Sequence, residues 1–228
     1  MLKEIPVITI DGLSGSGKGT ISKMLSNDLG WNILDSGALY RTLTFLIEKN
    51  GISITDLKEK KEKILKDFEV SFEIGLLGEP VNIFLKGKNI TNLVRTEEIA
   101  ERTSVLSSNK EVRDFIRPCQ RAFKKMPGLI ADGRDMGTVI FPEANLKIYL
   151  TASLEERTKR RETQLKRQGT KVNMRILLKE LEARDRKDIE RELSPLKPAK
   201  DSYEIDTTGL SPDEVLEKIK YLLLELKF

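Results

Sequence analysis

The feature that most restricts this chain is a glycine-rich loop set between an apolar strand and a helix. Val7-Ile8-Thr9-Ile10 reads as a buried strand, and Gly12-Leu13-Ser14-Gly15-Ser16-Gly17-Lys18-Gly19-Thr20 follows it almost at once. Glycines at this spacing let the backbone wrap so that successive N–H groups converge on phosphate oxygens. The helix that follows adds its positive N-terminal end, and Lys18 reaches the outer phosphates. The residues from Gly12 to Thr20 are therefore candidate nucleotide-phosphate contacts. The usual pattern places Ser or Thr directly after the lysine, but here Gly19 intervenes. Either Ser16 or Thr20 is then the hydroxyl available to a Mg²⁺ ion carried with the nucleotide.

Four more apolar runs resemble the first: Trp31 to Leu34, Leu129 to Ala131, Leu146 to Leu150, and Tyr203 to Ile205. Runs without polar alternation suit strands covered on both faces. Helix-like segments separate them, which predicts an α/β fold with a five-stranded parallel sheet and helices on both faces. Ser153 with Glu156, Ser211 with Glu214 and Ser108 with Glu111 have capping-box spacing. The last of these predicts a helix from Ser108 to about Lys125, kinked or broken at Pro118. Between the second and third parallel strands the period changes. Phe68, Val70, Phe72 and Ile74 alternate with polar residues, and so do Val81, Ile83 and Leu85, with Gly75, Gly78 and Pro80 supplying a turn. Period two predicts half-exposed antiparallel strands in a small inserted α+β subdomain.

Composition narrows the chemistry. The 228 residues include no histidine and one cysteine, so a Ser-His-Asp triad, a Cys-His pair and a His/Cys zinc site are excluded. Reactions that work by positioning and charge survive this filter, phosphoryl transfer foremost. The lone Cys119 reads as a small buried thiol and fits a reducing compartment. No apolar run is long enough to span a membrane, and Met1 to Pro6 lacks the apolar core of a signal peptide, so a cytoplasmic protein is expected. The 40 Lys plus Arg against 36 Asp plus Glu leave a net charge of +4, mostly interspersed. That pattern, with few aromatics free for base stacking, argues against nucleic acid as the partner. No long exposed apolar face is evident, which favours a monomer.

A second site follows from strand ends. The second strand runs into Asp35-Ser36-Gly37-Ala38-Leu39-Tyr40-Arg41, and the third into Asp132-Gly133-Arg134-Asp135-Met136-Gly137-Thr138. Loops after parallel strands emerge together at the carboxyl edge of the sheet, where ligands bind. Arg41 and Arg134 thereby join the phosphate loop, and arginine suits the bidentate grip of a phosphate monoester. No Asn-Lys-x-Asp element that would read guanine is present, and the fourth strand does not end in Asp-Glu as a translocating ATPase would require. Asp135 or Asp35 is placed to accept a proton or to order metal-bound water.

On these residues the chain resembles bacterial-type cytidylate kinase over nearly its whole length, and its Gly-Lys-Gly-Thr loop ending is typical of nucleoside monophosphate kinases of the adenylate kinase type. The matching segments are Val7 to Gly12, the phosphate loop, Leu34 to Arg41, Val94 to Glu97, Gln120 to Phe123, Pro127 to Thr138 and Ala183-Arg184-Asp185. The resemblance implies a P-loop kinase fold: a core of residues 1–64 and 109–228, an NMP-binding insert at 65–108 and a helical lid at 155–172. It implies transfer of the ATP γ-phosphoryl group to CMP or dCMP, with Mg²⁺. Ser36, Arg41 and Arg134 would hold the CMP phosphate, with Tyr40 in the same site. Ser104, Arg113 and Asp135 would read the cytosine edge, and Arg184, Asp188 and Arg191 would grip the sugar. Leu13 departs from a frequent Pro, and Lys187 from an Arg found in some relatives.

Offsets of four and three put Arg184, Asp188 and Arg191 on one helix face, and Arg157, Arg160 and Arg161 on another. The second trio opens the lid, with Arg157 expected at ATP and Arg160 and Arg161, together with Lys18 and Arg134, expected to stabilise transferring charge. Arg167, Gly169 and Lys171 follow in a loop. Two other readings remain: the same fold with UMP, AMP or shikimate as acceptor, and a nucleotide switch using the basic lid for RNA.

Overall fold

The computed structural model describes residues 4–53, 56–75, 79–167, 169 and 171–226. Gly78 of the expected turn, and Met1, Leu2 and Lys3 of the N-terminus, lie outside the described residues. The sheet is parallel, with β1 (Val7–Gly12) at its centre. The spatial order is β2 (Asn32–Asp35), β6 (Leu129–Gly133), β1, β7 (Leu146–Thr151) and β8 (Tyr203–Asp206). Ile8 stands opposite Ile130 on one side and Leu146 on the other. Because every second side chain changes face, an all-apolar strand feeds two cores. Val7, Leu129 and Ala131 pack with Leu39 and Leu43 of α2 (Ser36–Lys49) and Phe115 and Ile116 of α6 (Lys110–Arg121). Ile8, Ile10, Ile130 and Ile148 pack with Ile21 and Leu25 of α1 (Lys18–Leu29) and Val215 and Ile219 of α9 (Pro212–Glu225). The expected α/β architecture with helices on both faces is therefore present.

A separate antiparallel sheet joins β3 (Val70–Glu73), β4 (Asn82–Leu85) and the two-residue β5 (Lys88–Asn89). It is preceded by α3 (Lys61–Asp67) and followed by α4 (Thr91–Val94) and α5 (Glu97–Leu106). Ile83, Ile90 and Val94 bury against Ala38 of α2, which seats this unit beside the second strand. Phe68 and Ile74, expected in the first of these strands, fall outside it. Phe68 instead joins the main core, its ring edge-on to Phe115 at 5.6 Å.

One helix start and one helix end differ from expectation. Asn109, not Ser108, caps α6, accepting from Val112 N at 3.1 Å. Ser108 is held back because its own N–H closes the turn ending α5, on Val105 O at 3.2 Å. The helix stops at Arg121 rather than Lys125. The side-chain amide of Asn32 draws the chain aside there, donating to the carbonyls of Lys125 (2.9 Å), Met126 (3.1 Å) and Gly128 (2.9 Å). Pro118 sits in the last turns of α6, so only one late hydrogen bond is lost.

After β7 the chain forms α7 (Leu154–Arg167) and α8 (Met174–Glu190), joined by a small apolar cluster of Leu165, Leu177 and Leu181. Ser153 caps α7 through Glu156 N at 3.2 Å, and Ser211 and Glu214 form the full reciprocal box at α9. No helix among the described residues is long and apolar enough to cross a membrane.

Ile10, fully buried on the central strand, gives a direct test of this packing. Ile10→Ala should lower unfolding free energy by about 3 kcal/mol and Ile10→Val by about 1 kcal/mol, measured by urea denaturation. A loss below about 1 kcal/mol for the alanine variant would show that β1 is not the core strand.

Candidate active site

The phosphate loop owes its shape to glycines at φ values that other residues avoid. Gly12 has φ 146°, and a Cβ there would stand 2.0 Å from Leu150 O on the neighbouring strand. Gly15, at φ 78°, lies against the start of α7, where a Cβ would come within 3.1 Å of Arg157. Leu13 contributes its carbonyl, which accepts from Ser16 Oγ at 2.9 Å and Lys18 Nζ at 2.7 Å. Ser16 is fully buried and committed to that carbonyl, whereas Thr20 is exposed in the first turn of α1. Of the two hydroxyls expected to meet Mg²⁺, Thr20 is the open one.

Lys18 is only 6% exposed. Burial, reinforced by Arg134, lowers its ammonium to about 7, against the pull of Asp132 and Asp11. Asp132 shows the opposite shift, raised by burial and by Asp35 while Lys18 and Arg134 hold it down. Asp11 rises to about 6 through burial, although it accepts from Met136 N and Gly137 N at 2.9 and 2.8 Å. Those two bonds fix the π-helical turn Met136–Ile140, and with it the approach of Arg134 and Asp135.

The residues expected at the acceptor form a chain of alternating charge. Arg113 and Asp135 are a buried pair, and Arg113 also donates to Ser107 O at 3.1 Å, one turn beyond Ser104. Arg191 approaches Asp135 at 4.0 Å and Asp188 at 3.9 Å. Asp188 in turn accepts from Arg134 Nε at 2.8 Å. Burial opposes ionisation of Asp188, but Arg134, Arg184 and Arg191 outweigh it and hold the carboxyl below its usual value. Arg184, Asp188 and Arg191 are thus brought together with Arg134, but not on one helix face as expected: α8 ends at Glu190 and Arg191 caps it in extended backbone. Arg41 donates to the carbonyls of Val94 (3.2 Å) and Thr96 (3.4 Å). Burial and the nearby Arg184 and Arg95 lower it to about 10, so it stays cationic. Arg184 is likewise lowered by burial and by Arg134. Ser36 Oγ accepts from Gln120 Nε2 at 2.8 Å, which leaves its own O–H to donate. Tyr40 lies under the Arg113 guanidinium, 6.0 Å from ring centre to carbon, and burial pushes its hydroxyl up to about 12. It is no acid at neutral pH.

The arginines of α7 share a helix but diverge. Arg160 lies beside Gly17 and donates to Thr207 Oγ1 (3.0 Å) and Thr207 O (2.7 Å). Arg161 pairs with Glu97 at the start of α5. Arg157, expected to face ATP, is instead buried beneath the phosphate loop, donating to Ser14 O at 3.1 Å and Ala152 O at 3.0 Å and pairing with Asp185.

Asp135 and Asp35, expected to serve as proton acceptor or to order metal-bound water, are otherwise engaged. Asp135 is taken by Arg113, while Asp35 caps α2 through Ala38 N (2.9 Å) and pairs with Arg95 (2.9 Å). Asp132 is the carboxylate that faces the loop, 3.4 Å from where a Cβ on Gly19 would lie. Sequence reasoning gave no role to Asp11, Asp132, Arg95, Asp185 or Gln120. The available signal was a carboxylate closing each apolar strand, at Asp11 and Asp132. Cys119 is half-buried, and burial pushes its thiol up, as expected of an inert cysteine. Arg167, Gly169 and Lys171 flank residues outside the described ones.

A phosphate loop at the switch point of a parallel sheet, facing a second cationic site on the adjoining strand ends, defines a P-loop phosphotransferase acting on a phosphorylated acceptor. Comparison with known proteins then narrows the class. The cytidylate kinase family model matches residues 8–224, and the chain belongs to that family. A cytidylate kinase of Stutzerimonas stutzeri is 47% identical over 219 residues, covering 96% of this chain and 95% of that one. One from Pseudomonas savastanoi pv. phaseolicola is 49% identical over 214 residues, covering 94% and 93%. A solved shikimate kinase from Acinetobacter baumannii overlays 98% of this chain and 96% of its own at 19% identity and a TM-score of 0.42, and that distant likeness carries no weight on the acceptor.

The shifted Lys18 yields a sign that can be measured. An incoming anion raises an ammonium that burial has lowered, so metal-free ATP should bind with proton uptake at about pH 8. Calorimetry in two buffers of different ionisation enthalpy measures it. Lys18→Met should remove most of the uptake, and equal uptake in that variant would contradict the assignment.

Proposed function

We propose that the chain transfers the γ-phosphoryl group of ATP to CMP or dCMP in the cleft above β1, β6 and β2, giving ADP and the diphosphate. The observation that carries this reading is the pairing of two anion sites in one electrostatic unit. Lys18 at the phosphate loop feels Arg134, and Arg134 belongs to the acceptor group with Asp188, Arg184 and Arg41.

The donor phosphates lie along Gly12–Thr20, with backbone N–H groups and Lys18 as donors. Arg41, Arg134 and the Ser36 hydroxyl hold the acceptor phosphate. The Arg113–Asp135 pair, with Ser104, selects the base, because cytosine presents an amino donor where uracil presents a carbonyl. Asp135 can accept from the amino group and would repel the carbonyl, which disfavours UMP. Asp188, kept ionised by its arginines, accepts from a sugar hydroxyl, with Arg184 and Arg191 beside it.

Among the described residues no cluster of three or more Asp, Glu or Cys forms a metal cage. The open Thr20 hydroxyl and the Asp132 carboxylate fit Mg²⁺, which keeps most of its shell as phosphate and water oxygens. When bound, the ion would offset the charge of the ATP phosphates. Thr20 would hold it directly and Asp132 through water. No general base is required; Lys18 and Arg134 oppose the repulsion between the two nucleotides, and Arg160 and Arg161 join as the part of the 155–172 lid beyond the Arg157 anchor closes over the acceptor insert at 65–108. Closure excludes water and so limits hydrolysis. We place the enzyme in the cytoplasm as a monomer on free nucleotides, and the ion-paired arginines of α7 do not form the open basic stripe that RNA would need.

A coupled ADP-release assay over a panel of monophosphates tests this. Turnover should be selective for CMP and dCMP over UMP, AMP and shikimate. Folded Arg134→Ala should lose at least about 100-fold in turnover, the effect of removing one charge-stabilising group. Near-normal turnover in that variant would sink the phosphate-clamp assignment.

A further inference from the structure

We infer that the buried Arg157–Asp185 pair is a positioning device that holds the phosphate loop and the acceptor-gripping face of α8 in one rigid frame. This rests on the proposed function for the roles of those two surfaces. Arg157 is 4% exposed, and among the described residues its guanidinium is held by Ala152 O, Ser14 O and the Asp185 carboxylate. The backbone of α7 is pressed against the loop, since a Cβ on Gly15 would come within 3.1 Å of both Arg157 Cβ and Arg157 O. Asp185 follows Arg184 and lies one turn before Asp188, but its carboxylate turns to the loop side. Its second oxygen, Oδ1, is buried without a hydrogen bond, so Arg157, which donates to Oδ2, is the only donor found for this carboxylate among the described residues.

The other ion pairs of the cleft are built differently. Arg134–Asp188 and Arg161–Glu97 involve groups that phosphates and sugar hydroxyls compete for, so substrate binding exchanges them. Arg157–Asp185 lies outside that competition and persists while they exchange. It therefore fixes the distance from the Ser14 carbonyl on the donor side to Arg184 and Asp188 on the acceptor side. Arginine suits this place because its Nε reaches Ala152 O while its Nη1 reaches Ser14 O and Asp185, so one rigid planar group ties acceptors on two sides, whereas an ammonium offers all its donors from a single atom. Phosphoryl transfer depends on in-line alignment, and a misplacement of about 1 Å can cost about 100-fold in rate.

The test uses the full chain, with Asp185→Asn, Arg157→Lys and the double variant. Turnover with CMP is measured by ADP release, ATP and CMP dissociation constants by calorimetry, and folding by circular dichroism. Each single variant should fold and lose at least about tenfold in kcat, with both dissociation constants changed by less than about threefold, because neither residue touches a nucleotide. The double variant should be no worse than the poorer single one, as for residues acting as a unit. A smaller loss in a folded variant overturns the inference. So does a loss of nucleotide affinity that accounts for the lost rate, or losses that multiply in the double variant. If Asp185→Asn does not fold, Arg157→Lys, which keeps a cation beside Asp185, is judged by the same criteria. A wild-type chain that fails to turn over CMP refutes the proposed function instead; active wild type with unimpaired variants refutes only the positioning role.

Discussion

Buried positive charge at one edge of the sheet is the constraint around which the rest of the molecule is arranged. Lys18, Arg41 and Arg184 are each shifted towards their neutral forms by burial and by neighbouring arginines, Arg134 beside Lys18 and Arg184, and Arg184 beside Arg41. Cations held this way cost the folded chain stability, and anionic ligands relieve that cost. The apolar strands make the arrangement tolerable. A sheet covered on both faces gives rigid strand ends, and the cationic loops all leave from the same edge.

Carboxylates set how far the repulsion is compensated. Asp188 answers Arg134, Asp135 answers Arg113 and Arg191, and Asp185 answers Arg157. Asp11 is used differently, gripping two backbone N–H groups and fixing the turn that presents Arg134. The result is a cleft in which some cations are tied to protein and others are poised for phosphate. A chain without histidine can run such a reaction because the transfer needs aligned charge and no side-chain base.

Much of this was legible in the residues. The five parallel strands follow from apolar runs, each of which the structure lengthens or shifts by a residue or two at a polar or glycine end, as with Asp35 and Gly133. The phosphate loop, Arg41 and Arg134 follow from strand ends, and the alternation of Val70 and Phe72 marks the second sheet. Direction was harder to read. Helical spacing put Arg157, Arg160 and Arg161 on one face, but three long side chains can reach three separate partners, and they do. Asp132, at the end of β6, and Asp135, in the loop after it, are three residues apart, and only the fold tells which pairs with Arg113 and which lies in the field of Lys18. The cap at Asn109 was misplaced by one residue because Ser108 was already committed to the preceding turn.

If phosphate charge, more than the base, relieves the strain of the cationic cleft, CMP and cytidine must stabilise the protein unequally. The most direct test compares the thermal unfolding midpoint of the protein with CMP and with cytidine at the same concentration. CMP should raise the midpoint by several degrees, as about 2 kcal/mol of binding would in a domain of this size, and cytidine should leave it nearly unchanged. Equal stabilisation by cytidine and CMP would contradict the account.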